Sequence, residues 1–168
     1  DDDPIKWKSA KAERTAWEEY RARLTSLRIV DPACGSGVFL IMAFDWLKAA
    51  LERANTRIAE LSGTGHMGDL YDPDSEILTN NLFGVDVNSE SVEIAKLSLW
   101  IKTARRGKVL DSLDGNLKVG DSLIEDSSYA YREHGFAWKE AFPQVFAEGG
   151  FDVVLGNPPY VRMELLKP

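Results

Sequence analysis

Four consecutive residues near the end of the chain have types suited to chemistry on an amino group: Asn157, Pro158, Pro159 and Tyr160. The asparagine side-chain oxygen and the carbonyl of the following proline can both accept hydrogen bonds from one amino group. Two acceptors draw the nitrogen lone pair out of conjugation with an attached ring and make it more nucleophilic. The prolines restrict the backbone and hold the acceptors in place, and the tyrosine offers a face for stacking. The alternative is a proline-rich turn with a packing tyrosine.

An earlier segment, DPACGSG, begins at Asp31. Its glycines, Gly35 and Gly37, allow a tight turn and close approach of a ligand to the backbone. Asp31 can accept a hydrogen bond from an ammonium group, and the start of the following helix favours a carboxylate. These features suit an amino-acid moiety better than a pyrophosphate. The third glycine of a dinucleotide fingerprint is missing, since Leu40 takes its place, and a plain tight turn is the alternative.

Two more aspartates follow apolar segments. Asp86 ends LFGVD, where a carboxylate can accept hydrogen bonds from both hydroxyls of a ribose; a helix cap or a solvated acid is the alternative. Asp121 follows a glycine in VGDSL and could accept a hydrogen bond from the amino group of an adenine, or could be a simple turn residue.

Apolar periodicity predicts the elements that position these residues. Helices are predicted over Ser9–Leu27, from Val38 to Leu61, over one turn at Glu76–Asn81, over Ser89–Arg106 with a cap at Asn88 or Ser89 and a stop at Gly107, and within Phe136–Gly150. Strands are predicted at Leu27–Val30, Leu82–Asp86, Asn116–Val119 and Phe151–Leu155. The glycine-rich stretch Ser62–Ser75 is predicted to be a loop. The first turns of the helix from Val38 are apolar on nearly every side, so we expect them to be buried.

Strands that alternate with helices, without hairpin signals, indicate an α/β fold with an open parallel sheet of about four strands and flanking helices. The polar residues at the strand ends are Asp31, Asp86, Asp121 and Asn157. Because ligands of such sheets bind beyond the carboxyl ends of the strands, we expect these residues to form one site.

Composition bounds the function. The 168 residues are 44% hydrophobic and 28% charged, which is ordinary for a soluble domain. The net charge of −7 argues against a self-sufficient DNA-binding surface. No apolar run reaches the roughly 20 residues of a membrane helix, and the chain opens without a signal peptide. Cys34, His66 and His134 show no zinc spacing. We expect a cytoplasmic protein with no metal and no membrane contact.

The ordered set DPACGSG, GVDVN, VGDSL and NPPY closely resembles the gamma-type N6-adenine DNA methyltransferases, which use S-adenosyl-L-methionine (AdoMet). Longer stretches, GVDVNSESVEIAKLSLWIKTA and GGFDVVLGNPPYVR, resemble the large bacterial methylases of combined restriction–methylation enzymes and phage-defence systems. The resemblance spans Leu27 to Arg162. It implies a Rossmann-like fold, transfer of the AdoMet methyl group to N6 of a flipped adenine, and DNA as the partner.

The resemblance also implies a role for each motif. The methionine part of AdoMet is expected on the segment from Asp31 to Gly37, which includes Pro32, Ala33, Cys34 and Gly35. The ribose is expected on Asp86 and the cofactor adenine on Asp121, with Val87, Ser122 and Leu123 as further cofactor-binding residues. The target adenine is expected on Asn157, Pro158 and Tyr160, with Pro159 in the same catalytic segment.

The chain departs from a complete family member in two respects. We expect it to lack the upstream element that contacts AdoMet and everything after the fourth strand, including the target recognition domain. We therefore assign residues 1–26 to a lead-in helix and residues 27–168 to a partial catalytic domain. On its own this chain is expected to be inactive on DNA and, through an uncovered sheet edge, prone to self-association.

Three other functions remain open from the sequence. NPPY also suits methylation of a glutamine amide in release factors, or of a base in RNA. A nicotinamide oxidoreductase is disfavoured by the missing glycine and by the distance of Asp86 from the glycine turn. A non-catalytic AdoMet-binding module would need no NPPY segment.

Overall fold

The computed structural model describes residues 7–63, 73–104, 112–125 and 136–157. Within them lies a four-stranded parallel sheet with the strand order β3-β2-β1-β4. The strands are β1 (Ile29–Asp31), β2 (Leu82–Asp86), β3 (Leu117–Val119) and β4 (Val153–Val154). The predicted α/β class and parallel sheet are confirmed. Because β1 lies between β2 and β4, the direction of winding across the sheet reverses at β1.

Helices occupy the connections between the strands. They are α1 (Ala10–Ser26), α2 (Val38–Ser62), α3 (Pro73–Glu76), a π turn (Ile77–Asn81), α4 (Ser89–Thr103), α5 (Trp138–Ala141) and α6 (Pro143–Ala147). The turn predicted at Glu76–Asn81 thus begins earlier, at Pro73, within the stretch predicted to be a loop. The helix predicted over Ser89–Arg106 ends earlier, at Thr103, because Ala104 has an extended backbone; Gly107, the predicted stop, lies outside the described residues.

Three predicted strands are shorter in the structure. The strand predicted at Asn116–Val119 begins one residue later, at Leu117. The strand predicted at Leu27–Val30 begins two residues later and includes Asp31. The strand predicted at Phe151–Leu155 is regular only at Val153–Val154. Its start is irregular because the backbone amides of Asp152 and Val153 both donate to the carbonyl of Arg28.

The sheet has a core on each face. On one face, α1, α2 and α4 pack against the sheet around a core of buried leucines. Helix α1 contributes Leu24 to this core. The predicted lead-in helix therefore packs within the same core as the rest of the domain. The core of the other face is Val30, Phe83, Val85, Phe136, Phe142 and Val145.

The expectation that the first turns of α2 are buried on all sides is wrong. Leu40 and Phe44 are buried, but Val38 and Met42 are 56% and 61% exposed. The reason is the placement of α1, which pairs with the second half of α2 through contacts such as Arg57–Glu13. The outward side of the first turns is left uncovered by the described residues.

Two buried asparagines connect helix ends to strand starts. Nδ2 of Asn81 donates to the carbonyls of Leu24 and Leu27 at 2.9 and 2.6 Å, at the end of α1. Nδ2 of Asn116 donates to three carbonyls in and after the π turn, at 2.9–3.2 Å. Carbonyls at a helix end lack intrahelical donors, so these amides satisfy them and fix each helix end against the sheet.

Gly37 allows α2 to start close to α4. Its φ of +83° is left-handed, and a Cβ there would lie 3.0 Å from Cβ of Ala95. Gly63 ends the same helix with a φ of +68° but faces open space. The two positions share the backbone strain and differ in the steric contact.

We predict that Gly37→Ala lowers the free energy of unfolding by about 2–4 kcal/mol, because a left-handed alanine is strained and its Cβ overpacks against Ala95. Gly63→Ala is the matched control and should cost only about 1–2 kcal/mol. Urea unfolding of both variants measures the difference; equal losses would show that the contact with Ala95 has no energetic weight.

Candidate active site

The loop after β1 is fastened to β2 by backbone hydrogen bonds. The amide of Cys34 donates to the carbonyl of Val85 at 2.9 Å, and the amide of Gly35 donates to Oδ2 of Asp86 at 2.8 Å. The amide of Gly37 then bonds the carbonyl of Cys34 at 2.8 Å, which turns the chain into α2. The predicted glycine turn is therefore held by the predicted second acid.

The Cys34 side chain packs below this loop. It is buried, and a Cβ on Gly84 of β2 would lie 3.1 Å from its Sγ, so only a glycine leaves room for it. Burial, together with the negative charges of Asp86 and Asp31, raises the pKa of the Cys34 thiol to about 12. At neutral pH the thiol is therefore protonated and serves in packing rather than as a nucleophile.

Asp31, the last residue of β1, is fully buried. Its Oδ1 accepts a hydrogen bond from the amide of Ala33 at 3.0 Å, whereas Oδ2 has no partner in the described part of the chain. Burial raises the pKa of the Asp31 carboxyl; the amide of Ala33 opposes the rise and the charge of Asp86 adds to it. A cation at Oδ2 would relieve this unfavourable charge, as an ammonium group would.

Asp86 connects three segments. Oδ1 accepts from the amide of Asn88 at 2.9 Å, Oδ2 accepts from Gly35, and its backbone carbonyl accepts from the amide of Gly120 at 2.9 Å. Each carboxylate oxygen keeps a second lone pair for a ligand.

The side chain of Asn88 caps α4 by accepting from the amide of Glu90 at 2.8 Å, which confirms one of the two predicted caps.

The loop after β3 is closed by a hydrogen bond to the side chain of Asp121. Oδ1 of Asp121 accepts from the amide of Leu123 at 3.1 Å, and the carbonyl of Ser122 accepts from Nε1 of Trp138 at 3.1 Å. The Leu123 side chain is 92% exposed, and Val87, after β2, is 42% exposed. Two apolar side chains at neighbouring strand ends could flank a flat ring.

The loop after β4 runs beside Asp31. The amide of Leu155 donates to the carbonyl of Val30 at 2.8 Å, which carries the pairing with β1 past the end of β4. A Cβ on Gly156 would lie 3.1 Å from Oδ1 of Asp31 and 3.7 Å from Cδ of Pro32. Asn157 follows and is exposed. Pro158, Pro159 and Tyr160 lie outside the described residues.

The described residues predicted for the site therefore lie at one edge of the sheet, where hydrogen bonds join Gly35 to Asp86 and Ala33 to Asp31. Gly156 was not predicted for the site, because a glycine before Asn157 does not signal its closeness to Asp31. Trp138, which bonds the loop after β3 from α5, was not predicted either. A cavity of about 540 Å³, lined by residues that include Arg28, Phe83 and Asn116, lies at the opposite, amino-terminal edge and contains none of the predicted site residues.

None of the described helices is both long enough and apolar enough to cross a membrane. No group of three or more His, Cys, Asp or Glu side chains is placed to hold a metal ion in the part of the chain that the structure describes.

Comparison with known proteins identifies the family of this chain. The model of the Eco57I restriction-modification methylase family matches residues 80–168, more than half of the chain, which include β2, β3, β4 and the NPPY segment. The chain belongs to the Eco57I methylase family. The resemblance inferred from the four motifs is thereby confirmed.

Individual relatives of the Eco57I methylase family agree with this placement. A relative from Methanocaldococcus jannaschii is 37% identical over 110 residues, 60% of this chain and 9% of that protein. The type II restriction enzyme and methyltransferase RM.Eco57I of Escherichia coli is 29% identical over 152 residues, 82% of this chain and 15% of that protein. The adenine-specific methyltransferase PglX of Streptomyces coelicolor is 27% identical over 161 residues, 82% of this chain. The chain thus spans a small part, 9–15%, of the length of these relatives.

We predict that Asp31→Asn raises the melting temperature of the ligand-free chain by about 2–4 °C at neutral pH, equivalent to about 1 kcal/mol, because it removes a buried unpaired charge. The folded-state pKa of Asp31 is raised, so the carboxyl contributes stability at acidic pH and loses it as the pH rises through the raised pKa. The advantage of Asn should therefore be absent below the ordinary pKa of an aspartate. Thermal unfolding across this pH range measures it.

Asp114→Asn is the control of opposite sign. Hydrogen bonds from Lys96 and Ser112 lower the pKa of the Asp114 carboxyl, so this substitution should lower the melting temperature at neutral pH. A Tm for Asp31→Asn at or below that of the wild type at neutral pH would contradict the assignment of an unpaired charge.

Proposed function

We propose that this chain forms the AdoMet-binding and catalytic core of an enzyme that methylates N6 of adenine in DNA, within a restriction–modification or phage-defence system. The observation that carries the proposal is the buried Asp31 carboxylate, whose unpartnered Oδ2 lies at the same strand edge as Asn157. Membership in the Eco57I methylase family supports methyl transfer. The name of PglX, adenine-specific methyltransferase, supports the choice of base.

The residues at the strand ends fit the three parts of AdoMet. The unpartnered Oδ2 of Asp31 suits the ammonium group, and the start of α2 at Gly37, which has no side-chain cap, suits the carboxylate. Asp86 has free lone pairs for the ribose hydroxyls. The exposed Val87 and Leu123 suit the two faces of the adenine. When bound, AdoMet supplies an electrophilic methyl group on a sulfonium.

The target side of the reaction belongs to the NPPY segment. Asn157 Oδ1 and the carbonyl of Pro158 would accept the two N–H bonds of the adenine amino group and raise the nucleophilicity of N6. Tyr160 would stack on the extruded base. Neither acceptor needs to be a strong base, because N6 attacks first and its surplus proton can leave to water afterwards. Pairing of β4 with β1 places the start of this segment beside Asp31, so the cofactor and the target approach from adjacent strand ends.

We predict that Asp86→Ala weakens binding of S-adenosylhomocysteine by about 1–3 kcal/mol, through lost hydrogen bonds to the ribose hydroxyls. Because Asp86 also fastens Gly35, a 2′-deoxyribose analogue of the ligand separates the two roles in a double-mutant cycle. Calorimetry should show that the analogue binds more weakly than the parent to the wild type, and that this difference shrinks in the variant. Equal affinity of wild type and variant for the parent ligand would exclude Asp86 from the ribose site.

We predict that Asn157→Ala in the intact protein lowers the methylation rate on the order of 100-fold or more, because one preorganised acceptor is lost. Binding of S-adenosylhomocysteine should be nearly unchanged, since Asn157 faces the target. Transfer of labelled methyl groups to DNA, to RNA and to a release factor measures the rate and the substrate class together. Preferred labelling of RNA or of the release factor would overturn the choice of DNA.

Tyr160 separates stacking from hydrogen bonding. Tyr160→Ala should weaken capture of the target base by about 1–3 kcal/mol, the usual value of base–aromatic stacking. Tyr160→Phe is the matched control and should be mild, because it keeps the ring. The measurement is the KM for DNA, and equal damage from Phe and Ala would make the hydroxyl, rather than the ring, the functional group.

A further inference from the structure

The Asp31 carboxylate lies between the two halves of the site. Its Oδ1 accepts from the amide of Ala33 at 3.0 Å, and a Cβ built on Gly156 would lie 3.1 Å from the same oxygen, so Oδ1 is close to Gly156. Oδ2 is buried and has no partner among the described residues. A group that bonds Oδ2 therefore fixes the orientation of a carboxylate whose other oxygen lies next to the segment leading to Asn157.

Gly156 lies in a notch that leaves little room. A Cβ there would be 3.1 Å from Oδ1 of Asp31 and 3.7 Å from Cδ of Pro32. The proline ring is rigid, and the backbone before Gly156 is tied to β1 by the bond between Leu155 and Val30. A shift of the carboxylate therefore displaces Gly156, because the loop around this glycine has little freedom to adjust.

We infer that Asp31 is a positioning residue that couples the two binding events, so that an ammonium group at Oδ2 sets the position of Gly156 and Asn157 for the target base. This inference rests on the proposed function and adds to it a coupling between the binding of the cofactor and the position of the target loop. Coupling of this kind is reciprocal. A change at Gly156 must therefore alter the affinity for the ammonium-bearing part of the ligand and leave the adenosine part alone.

The first test uses the wild-type chain and three ligands: S-adenosylhomocysteine, its decarboxylated analogue, which keeps the ammonium group, and 5′-methylthioadenosine, which has neither charge. Hydrogen exchange of residues 151–157 is the readout. The two ammonium-bearing ligands should slow exchange in this segment, and methylthioadenosine should slow exchange only near β2 and β3. Equal protection of residues 151–157 by all three ligands would overturn the coupling.

The second test uses Gly156→Ala, which places a methyl group against Oδ1 of Asp31. Calorimetry should show that the two ammonium-bearing ligands lose affinity about 5-fold or more, the lower range of allosteric coupling, and that methylthioadenosine is unaffected. Gly156 has a φ of +156°, so its control must share the backbone strain; Gly149→Ala is the matched control, because Gly149 has a φ of +110° and a Cβ there meets no atom within 4 Å. Asp31→Asn should lower the same two affinities and abolish the ligand-induced protection of residues 151–157.

The outcomes separate the coupling from the proposed function. If Asp31→Asn weakens the ammonium-bearing ligands but Gly156→Ala does not, the cofactor site stands and the coupling is wrong. If none of the three adenosine ligands binds the wild type, the proposed cofactor is wrong and the coupling falls with it. Should Gly156→Ala fail to fold, the exchange measurements on the wild type and on Asp31→Asn still decide.

Discussion

The hydrogen bond from the Gly35 amide to Oδ2 of Asp86 is the interaction on which the arrangement of the site depends. It joins the loop after β1 to the end of β2, and the other oxygen of the same carboxylate holds the start of α4 through Asn88. One side chain thus fixes two loops, and the Asp86 backbone carries the third through Gly120. The remaining loop is tied to β1 by the bond from the Leu155 amide to the Val30 carbonyl and passes close to Asp31 at Gly156. Three of the four strand ends are therefore joined through Asp86, and the fourth lies next to the buried Asp31.

Most of this arrangement could be predicted from the sequence because parallel strands impose it. Once four apolar segments alternate with helices, their carboxyl ends must meet at one edge, and the acids that follow them must be neighbours. The bounds of β2 (Leu82–Asp86) and the cap at Asn88 followed from local chemistry, since LFGVD is short and apolar and asparagine satisfies free amides at a helix start. Signals of this kind act within a few residues and need no knowledge of the tertiary fold.

The errors came where distant residues decide the outcome. Periodicity could not show that α1 covers only the second half of α2, so Val38 and Met42 were expected inside and lie outside. Nothing local marks Gly156 as the residue that must fit against Asp31, or Gly120 as the one that lies under Phe136. The π turn before β2 likewise depends on Asn116, more than thirty residues later in the chain, whose side-chain amide donates to the carbonyls of Leu78 and Thr79.

The hydrogen bonds of Asn116 also affect how readily this residue deamidates. Deamidation would convert Nδ2 of Asn116, which donates to three carbonyls, into an oxygen that faces the same carbonyls as a repelling charge. The reaction requires the backbone nitrogen of the next residue to attack the side chain. That nitrogen, in Leu117, is bonded to the carbonyl of Leu113 at 2.8 Å inside the core. The folded structure thus protects the Asn116 side-chain amide from deamidation. Deamidated Asn116 would therefore accumulate chiefly in molecules that have already unfolded.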